Sequence, residues 1–443
     1  MGIQLHLYIA PFKGVSMLKP YLISTLSGIS YPFQRLEEFA ENGESLEVVI
    51  PGIEHAKLRA LQGADVQDTG VPAPARGVET AATMLAATIW QRYADFLPFQ
   101  EMHPELSLGE GMTALVPAGP ILSAWTGLEN LLLKNETVNP TWSFKDRGSL
   151  ACTIMAIEQK ERAMATISTG NMGQSVAAYG ARAGLKVMVF LPEFAPKEKI
   201  LAMAIHGATV VRVHGADYGD MKDMVIELAS KHGVRVASGN NPIRVEGYKT
   251  EAFELFEQLD GEVPDYIAVP TSACGHIRGI FKGFRELHQA GLIDRLPKMI
   301  VVQAAANSPI ASAIKSGSRT MIPFRNFTTI AEALSSGRPP GGEEIIAKAY
   351  KYGWLAEDAA EEEILEAQNQ LACAGFFVEP ASATTLAALR KLCSSRTIDA
   401  KARVVAVLTG SGLKDIGVAS RHKLDIVDTD MNGIEQYISA EKL

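Results

Sequence analysis

Lys145, inside the string Glu136-Thr-Val-Asn-Pro-Thr-Trp-Ser-Phe-Lys-Asp-Arg-Gly148, carries the strongest chemical signal in the chain. Lysine condenses with an aldehyde to form a Schiff base, and once displaced it can carry protons. Pro140 marks a turn before it, and the apolar run Leu150-Ala-Cys-Thr-Ile-Met-Ala-Ile157 follows. Lys145 is therefore expected where a loop becomes a helix, its amine free to face a cleft. An isolated Phe-Lys-Asp-Arg reads equally well as the solvated first turn of a helix. Three later strings bear on the choice: Ser168-Thr-Gly-Asn171, Asn241-Pro-Ile-Arg-Val-Glu-Gly-Tyr-Lys-Thr250 and Leu408-Thr-Gly-Ser-Gly-Leu-Lys-Asp415.

The segment Asn139–Gly148 resembles the lysine motif of threonine synthases, enzymes of the pyridoxal-phosphate fold type II that also contains the tryptophan synthase β subunit. The three other strings match the same family in the same order, so the resemblance spans roughly residues 86 to 420. It implies pyridoxal 5'-phosphate as cofactor, with Lys145 on its aldehyde, Asn171 on its ring oxygen and Thr409 facing the pyridine nitrogen. A hydroxyl partner leaves that nitrogen largely uncharged, which shifts carbanion control toward Lys145 and donors to the ring oxygen. Ser168, Thr169 and nearby amides would hold a substrate carboxylate at a helix N-terminus, and Arg244 would bind a substrate phosphate through its fork of N–H donors. Each has a plainer reading: Ser168 and Thr169 as N-caps, Thr409 as a strand-end residue, and Arg244 as a helix-start residue pairing with Glu246 or Glu251.

The cofactor's own phosphate needs backbone N–H groups where a loop opens a helix. Val269-Pro-Thr-Ser-Ala-Cys-Gly-His276 lies between a strand and a helix expected over Ile277–Gln289, so Ser272, Ala273, Cys274, Gly275 and His276 form the candidate cradle. The family is more glycine-rich there; this chain keeps only Gly275. Any non-proline residue can still donate its N–H. Cys274 and His276 also invite reading as a reactive pair, against packing or a loop hydrogen bond. Other departures are Ser238 and Gly239 where the family has an Asn-Ser pair, Met172 and Gly173 after Asn171, and Trp142 in place of a common glycine, where its side chain could narrow the cleft.

The implied reaction converts O-phospho-L-homoserine and water to L-threonine and phosphate by γ-elimination and β-addition. Lys145 would shuttle protons, which requires its pKa to fall well below the ordinary value of about 10.4. The altered pocket keeps open another elimination or replacement lyase acting on a different β- or γ-substituted amino acid. An inactive, cofactor-binding regulatory relative is a third reading. A homodimer is the family expectation.

These residues need a scaffold. From Leu150 onward helices and strands alternate: helices over 171–183, 197–206 and 218–231, and strands over Lys186–Leu191, Thr209–Val213, Tyr266–Pro270, Met299–Gln303 and Val404–Thr409. That pattern predicts parallel sheets with helices on their faces. The fold class is α/β: two doubly wound α/β domains with the cofactor in the cleft between them, preceded by a small β-rich extension. The divisions are 78–147 with 240–443 as the large domain, 148–239 as the small one, 63–77 as a Gly/Pro/Ala-rich linker and 1–62 as the extension. A helical pattern resumes at Val78 and runs through Met84, Leu85, Ile89, Trp90 and Tyr93. Leu108-Gly-Glu-Gly-Met-Thr-Ala-Leu115 resembles the family's turn before its first large-domain strand and reads as architectural. In the extension, Leu46–Ile50 is strand-like. Some threonine synthases begin with paired CxxCG zinc knuckles. Here Ser24, Ser27, Phe39 and Asn42 would stand at the ligand positions, so the unit is a degenerate ribbon or a plain hairpin unit, and no metal is expected.

At 443 residues, with 47% apolar and 21% charged side chains, the composition is that of a globular chain. The net charge of -8 offers no electrostatic footprint for nucleic acid or an anionic membrane. Cys152, Cys274, Cys373 and Cys393 are scattered, which suggests reduced thiols and a cytoplasmic location. The opening Met1–Phe12 is apolar but lacks a basic start and a cleavage site, so it is not read as a signal peptide. No stretch reaches the length of about 18 apolar residues that a membrane span requires.

Overall fold

The computed structural model describes residues 19–35, 37–56, 88–193, 195–215, 218–325 and 327–432, with 434 and 438. The expected linker 63–77, the first part of the helical pattern after Val78 and the Met1–Phe12 segment lie outside the described residues.

The described residues form three sheets. Strands β1 (Tyr21–Ser24), β2 (Ser30–Pro32) and β3 (Leu46–Val49) form an antiparallel sheet in the order β2-β1-β3. In place of metal ligands, the Ser24 hydroxyl and the Ser27 amide both donate to Glu44. A six-stranded sheet contains β4 (Leu115–Pro117), β5 (Asn130–Asn135), β10 (Tyr266–Pro270), β11 (Lys298–Ala304), β12 (Leu355–Ala359) and β13 (Arg403–Leu408), in the order β12-β11-β10-β13-β5-β4. Only the β4–β5 pair is antiparallel. A four-stranded parallel sheet contains β6 (Ala163–Ile167), β7 (Lys186–Pro192), β8 (Thr209–Val213) and β9 (Arg235–Val236), in the order β8-β7-β6-β9.

Both parallel sheets are covered on two faces, so their central strands are apolar throughout. In the larger sheet Ile267, Val269, Met299, Val301, Val405 and Val407 pack one way, against Leu150, Ile154, Phe253, Ile277 and Phe281. The alternating Ala268, Ile300, Val302, Ala406 and Leu408 pack the other way, against Ile364, Leu371, Leu386 and Leu389. Met164, Val187, Val189 and Leu191 of the smaller sheet meet Cys152, Ala156, Val176 and Met203. The helix Lys145–Glu158 thus has Leu150 and Ile154 in one core and Cys152 and Ala156 in another. This explains why it is buried nearly all round and carries no polar stripe.

Observed strands and helices agree with the expected ones to within about two residues, with one exception. Thr88 is extended and caps the short helix Ile89–Arg92 by accepting from the Gln91 amide, so no helix runs through it from Val78. Trp90 and Tyr93 still enter the core. Leu22, Leu46 and Val48 of the antiparallel sheet belong to the same apolar cluster as Ile243 and Ile277, so the N-terminal unit packs onto the larger block. Among the described residues no helix is long and apolar enough to cross a membrane.

Candidate active site

The chain leaves four strands at their C-terminal ends and enters one neighbourhood: β6 into Ser168, β10 into Thr271–Gly275, β13 into Thr409, and β5 through a turn into Lys145. Crevices at the carboxyl ends of parallel strands are the usual ligand sites of open α/β sheets. Here they bound one cavity. Lys145, Asn171, Gly239, the run Thr271–Ile277, Glu379 and Thr409 are among its lining.

Lys145 begins its helix, as expected. The first-turn reading as solvated surface fails for its neighbours: Asp146 and Arg147 are fully buried. Arg147 makes paired bonds to Glu136 (2.7 and 2.7 Å) and to Glu254 (2.6 and 2.8 Å), and Lys134 also bonds Glu254 at 2.7 Å. Asp146 accepts from the Thr141 amide at 2.6 Å, from the Thr141 hydroxyl, and from Ser175 at 2.6 Å. The motif is thereby tied down on both sides of the lysine. It is also stitched to the Leu408–Asp415 string, because Phe144 donates its amide to the Thr409 carbonyl (3.0 Å) and Ser411 donates to that of Trp142 (3.0 Å). Lys414 donates to the Thr141 carbonyl at 2.7 Å.

The Lys145 amine lies 4.0 Å from the centre of the Phe144 ring. Desolvation, then the positive charge of Arg244, lower its pKa to about 7, while Glu379 acts in the opposite direction. A free lysine here is substantially neutral near pH 7 and able to accept a proton.

Glu379, which motif reading missed, joins two of the expected residues. Its carboxylate accepts from the Asn171 side-chain amide (2.7 Å) and the Thr409 hydroxyl (3.1 Å), and the latter also meets Ser382 at 2.8 Å. A glutamate before Pro380 at the start of a helix is an ordinary pattern, so the sequence gives no signal for this role.

The cradle residues Ser272–His276 line the cavity where the helix Gly275–Gln289 opens, with first-turn amides that the helix cannot satisfy. A Cβ on Gly275 would stand 2.1 Å from the Gly239 carbonyl oxygen, which accounts for the one glycine retained. Cys274 and His276 are not a reactive pair. Burial pushes the Cys274 thiol up, and the His276 ring stacks on Phe144 at 3.7 Å with Nε2 2.7 Å from Glu251. Buried His276 Nδ1 has no hydrogen-bond partner among the described residues.

Ser168, Thr169 and Arg244 do not line this cavity. Neither Ser168 nor Thr169 caps the helix Asn171–Arg182; Gly170 holds the cap position without a side-chain bond, and the Ser168 hydroxyl accepts from the Gly170 amide at 3.2 Å. Arg244 is fully buried. The pairing with Glu246 or Glu251 does not occur: Glu246 binds Lys249 and Lys282, and Glu251 binds His276. Among the described residues Arg244 has no ion pair. Its donors go to the carbonyls of Ser238 (2.9 Å) and Ala237 (3.4 Å), Ser149 (3.2 Å) and Tyr248 (3.4 Å). Trp142 does not narrow the cavity. Its side chain is about half exposed, and its φ of 65° explains why glycine is common at that position.

Residues 106–410 match the family described as pyridoxal-phosphate dependent enzyme. With the α/β fold and the lysine-bearing cavity, this defines the class: a lyase that uses pyridoxal 5'-phosphate. The chain is 40% identical to the threonine synthase of Methanocaldococcus jannaschii, over 79% of this chain and 87% of that one. It is 39% identical to the threonine synthase of Methanosarcina acetivorans, over 79% and 86%. The chain belongs to the threonine synthase family. In fold it is similar to serine racemase from Dictyostelium discoideum, with a TM-score of 0.58 and 23% identity over 74% of this chain and 98% of that one.

Proposed function

We propose that the protein converts O-phospho-L-homoserine and water to L-threonine and phosphate. The observation that carries this reading is the lowered pKa of Lys145 within a cavity bounded by Asn171, Thr409 and a helix N-terminus, in a chain of the threonine synthase family.

The residues fit the cofactor. Lys145 offers an amine with a pKa of about 7, Ser272–His276 offer the first-turn amides for a phosphate, and His276, whose buried Nδ1 has no hydrogen-bond partner among the described residues, lines the cavity. When bound, the cofactor supplies an aldehyde for the substrate amine and an electron sink for the α carbon. Asn171, oriented by Glu379, would bind the cofactor's ring oxygen, and Thr409, held by Ser382 and Glu379, would serve its ring nitrogen. Asn171, which lines the cavity, opens a helix whose first-turn amides would hold the substrate carboxylate; the family resemblance supports Ser168 and Thr169, just outside the lining, in the same role. The family resemblance supports Arg244, which has no carboxylate partner among the described residues, as the group for the substrate phosphate; it lies buried behind the cavity lining, bonded to Ser238 and Ala237 of the loop that carries Gly239. Lys145 takes the proton from the α carbon and returns protons as the phosphate leaves and water adds at the β carbon.

Ser238 and Gly239, standing for an Asn-Ser pair, support a second reading in which the distal group of the substrate differs. Mixing the cofactor-loaded protein with O-phospho-L-homoserine and following phosphate and amino acids together separates them. Equal rises of phosphate and threonine are expected; no phosphate from cofactor-loaded protein would overturn the substrate assignment. Unpaired thiols at all four cysteines support a cytoplasmic location. The family resemblance supports a homodimer, which sedimentation of the holoenzyme tests.

A further inference from the structure

The N-terminal sheet reaches the site through one buried carboxylate. Glu38, between β2 and β3, is 2% exposed. Its Oε1 accepts from the Ser238 amide at 3.0 Å and from Asn241 Nδ2 at 2.9 Å. Its Oε2 has no hydrogen-bond partner among the described residues. Both amides that Glu38 holds touch Arg244 with their other ends. The peptide whose N–H belongs to Ser238 has its carbonyl on Ala237, and that oxygen accepts from Arg244 Nη2. The side-chain oxygen of Asn241 accepts from the backbone amides of Ile243 (2.9 Å) and Arg244 (3.3 Å). Ser45 and Leu46 add to the strap: Ser45 accepts from Asn240 Nδ2 at 3.0 Å, and the Leu46 carbonyl accepts from Arg278 at 2.7 Å, whose other nitrogen bonds Asn240 Oδ1 at 2.6 Å.

The loop 238–241 is therefore clamped between this N-terminal unit and the cavity, where the Gly239 carbonyl abuts Gly275. Hydrogen bonds in series through an amide polarise one another. A carboxylate on the N–H end makes the carbonyl end a better acceptor for the guanidinium. An arginine that must stay ready for an anion cannot be fixed by a carboxylate bonded directly to it, since that would compete for its donors. Fixing it through intervening amides leaves its positive charge without a carboxylate partner among the described residues.

We infer that Glu38 is a positioning residue for the substrate phosphate, acting on Arg244 through the Ala237–Ser238 peptide and the Asn241 side chain. The inference rests on the reading of Arg244 as the phosphate site. It gives the N-terminal unit a part in substrate recognition that its lack of metal ligands conceals.

The test uses the full-length holoenzyme as wild type, Glu38→Ala, Glu38→Gln and Arg244→Ala. Inorganic phosphate binding is measured by calorimetry, alongside KM and kcat for O-phospho-L-homoserine and the cofactor absorbance. Loss of hydrogen bonds to charged groups predicts for Glu38→Ala a rise of about tenfold in both the phosphate Kd and KM. Cofactor absorbance should persist and kcat should change less than KM. Glu38→Gln keeps an oxygen in place and loses the charge, so an intermediate effect is expected. If Arg244→Ala weakens phosphate binding while Glu38→Ala and Glu38→Gln do not, Glu38 is structural and the inference is overturned. If Arg244→Ala leaves phosphate binding unchanged, the phosphate reading of Arg244 fails and this inference falls with it. Equal loss of cofactor absorbance, kcat and phosphate binding in both Glu38 variants would show general disruption and also overturn it.

Discussion

Lys145 owes its chemistry to what surrounds it. Desolvation and Arg244 lower its pKa to about 7, and Glu379 resists that fall. A lysine takes a proton only when neutral, so kcat should rise with pH through this pKa. Glu379→Gln removes the charge that favours the ammonium. The ascending limb of the kcat profile should therefore move to lower pH, and an unmoved limb would show that Glu379 is not coupled to the base. Since Asn171 and Thr409 also lose their shared anionic acceptor, weaker cofactor retention is expected in the same variant, read by dialysis against cofactor-free buffer. Lys145→Ala should abolish both the absorbance of the lysine-bound cofactor and turnover; retention of both would overturn the central assignment.

At the scale of elements, the site depends on the buried tie formed by Arg147, which anchors the start of the Lys145 helix to Glu136 after β5 and to Glu254 on the helix Thr250–Gln258. Truncating one member of a buried ion network leaves the other charges without compensation, at a cost of about 3–5 kcal/mol. Arg147→Ala should lose stability of that order in urea unfolding, whereas a loss below about 1 kcal/mol would mean that water or Lys134 replaces the guanidinium. Sequence reading located the four strings and the elements that carry them because each is contiguous, and it placed Lys145, Asn171, the 272–276 loop and Thr409 around what proves to be one cavity. Arg147 was read with Lys145 as first-turn polarity, because its partners lie 11 and 107 residues away and local pattern does not report them. Glu379 was hidden for a different reason: its sequence context already explains an acid there. Trp142 was read, from its place in the lysine motif, as a side chain that could narrow the cleft, but the left-handed φ at that position is a backbone property.

Over the whole molecule, segments that follow strands of both parallel sheets line the cavity, and an ion pair joins Lys199 to Glu332. Lys199 lies on the helix Lys197–Ala204, whose Met203 packs with the smaller sheet. Glu332 opens the turn Glu332–Leu334, and Ala333 and Leu334 line the cavity. The pair is placed to hold the cleft closed, but the Glu332 side chain is about half exposed, and such pairs contribute at most about 1 kcal/mol. It should act as a light latch, strong enough to bias closure and weak enough to release product. Lys199→Ala is then expected to change KM by no more than about fivefold and to reduce the salt dependence of KM that the wild type shows, because an exposed pair is screened by ions. Restoring opposite charges in reversed order, with Lys199→Glu and Glu332→Lys together, should recover much of that salt dependence. A Lys199→Ala effect beyond tenfold, or a salt response unchanged in the single variant, would mean that this pair is not a light latch on the cleft.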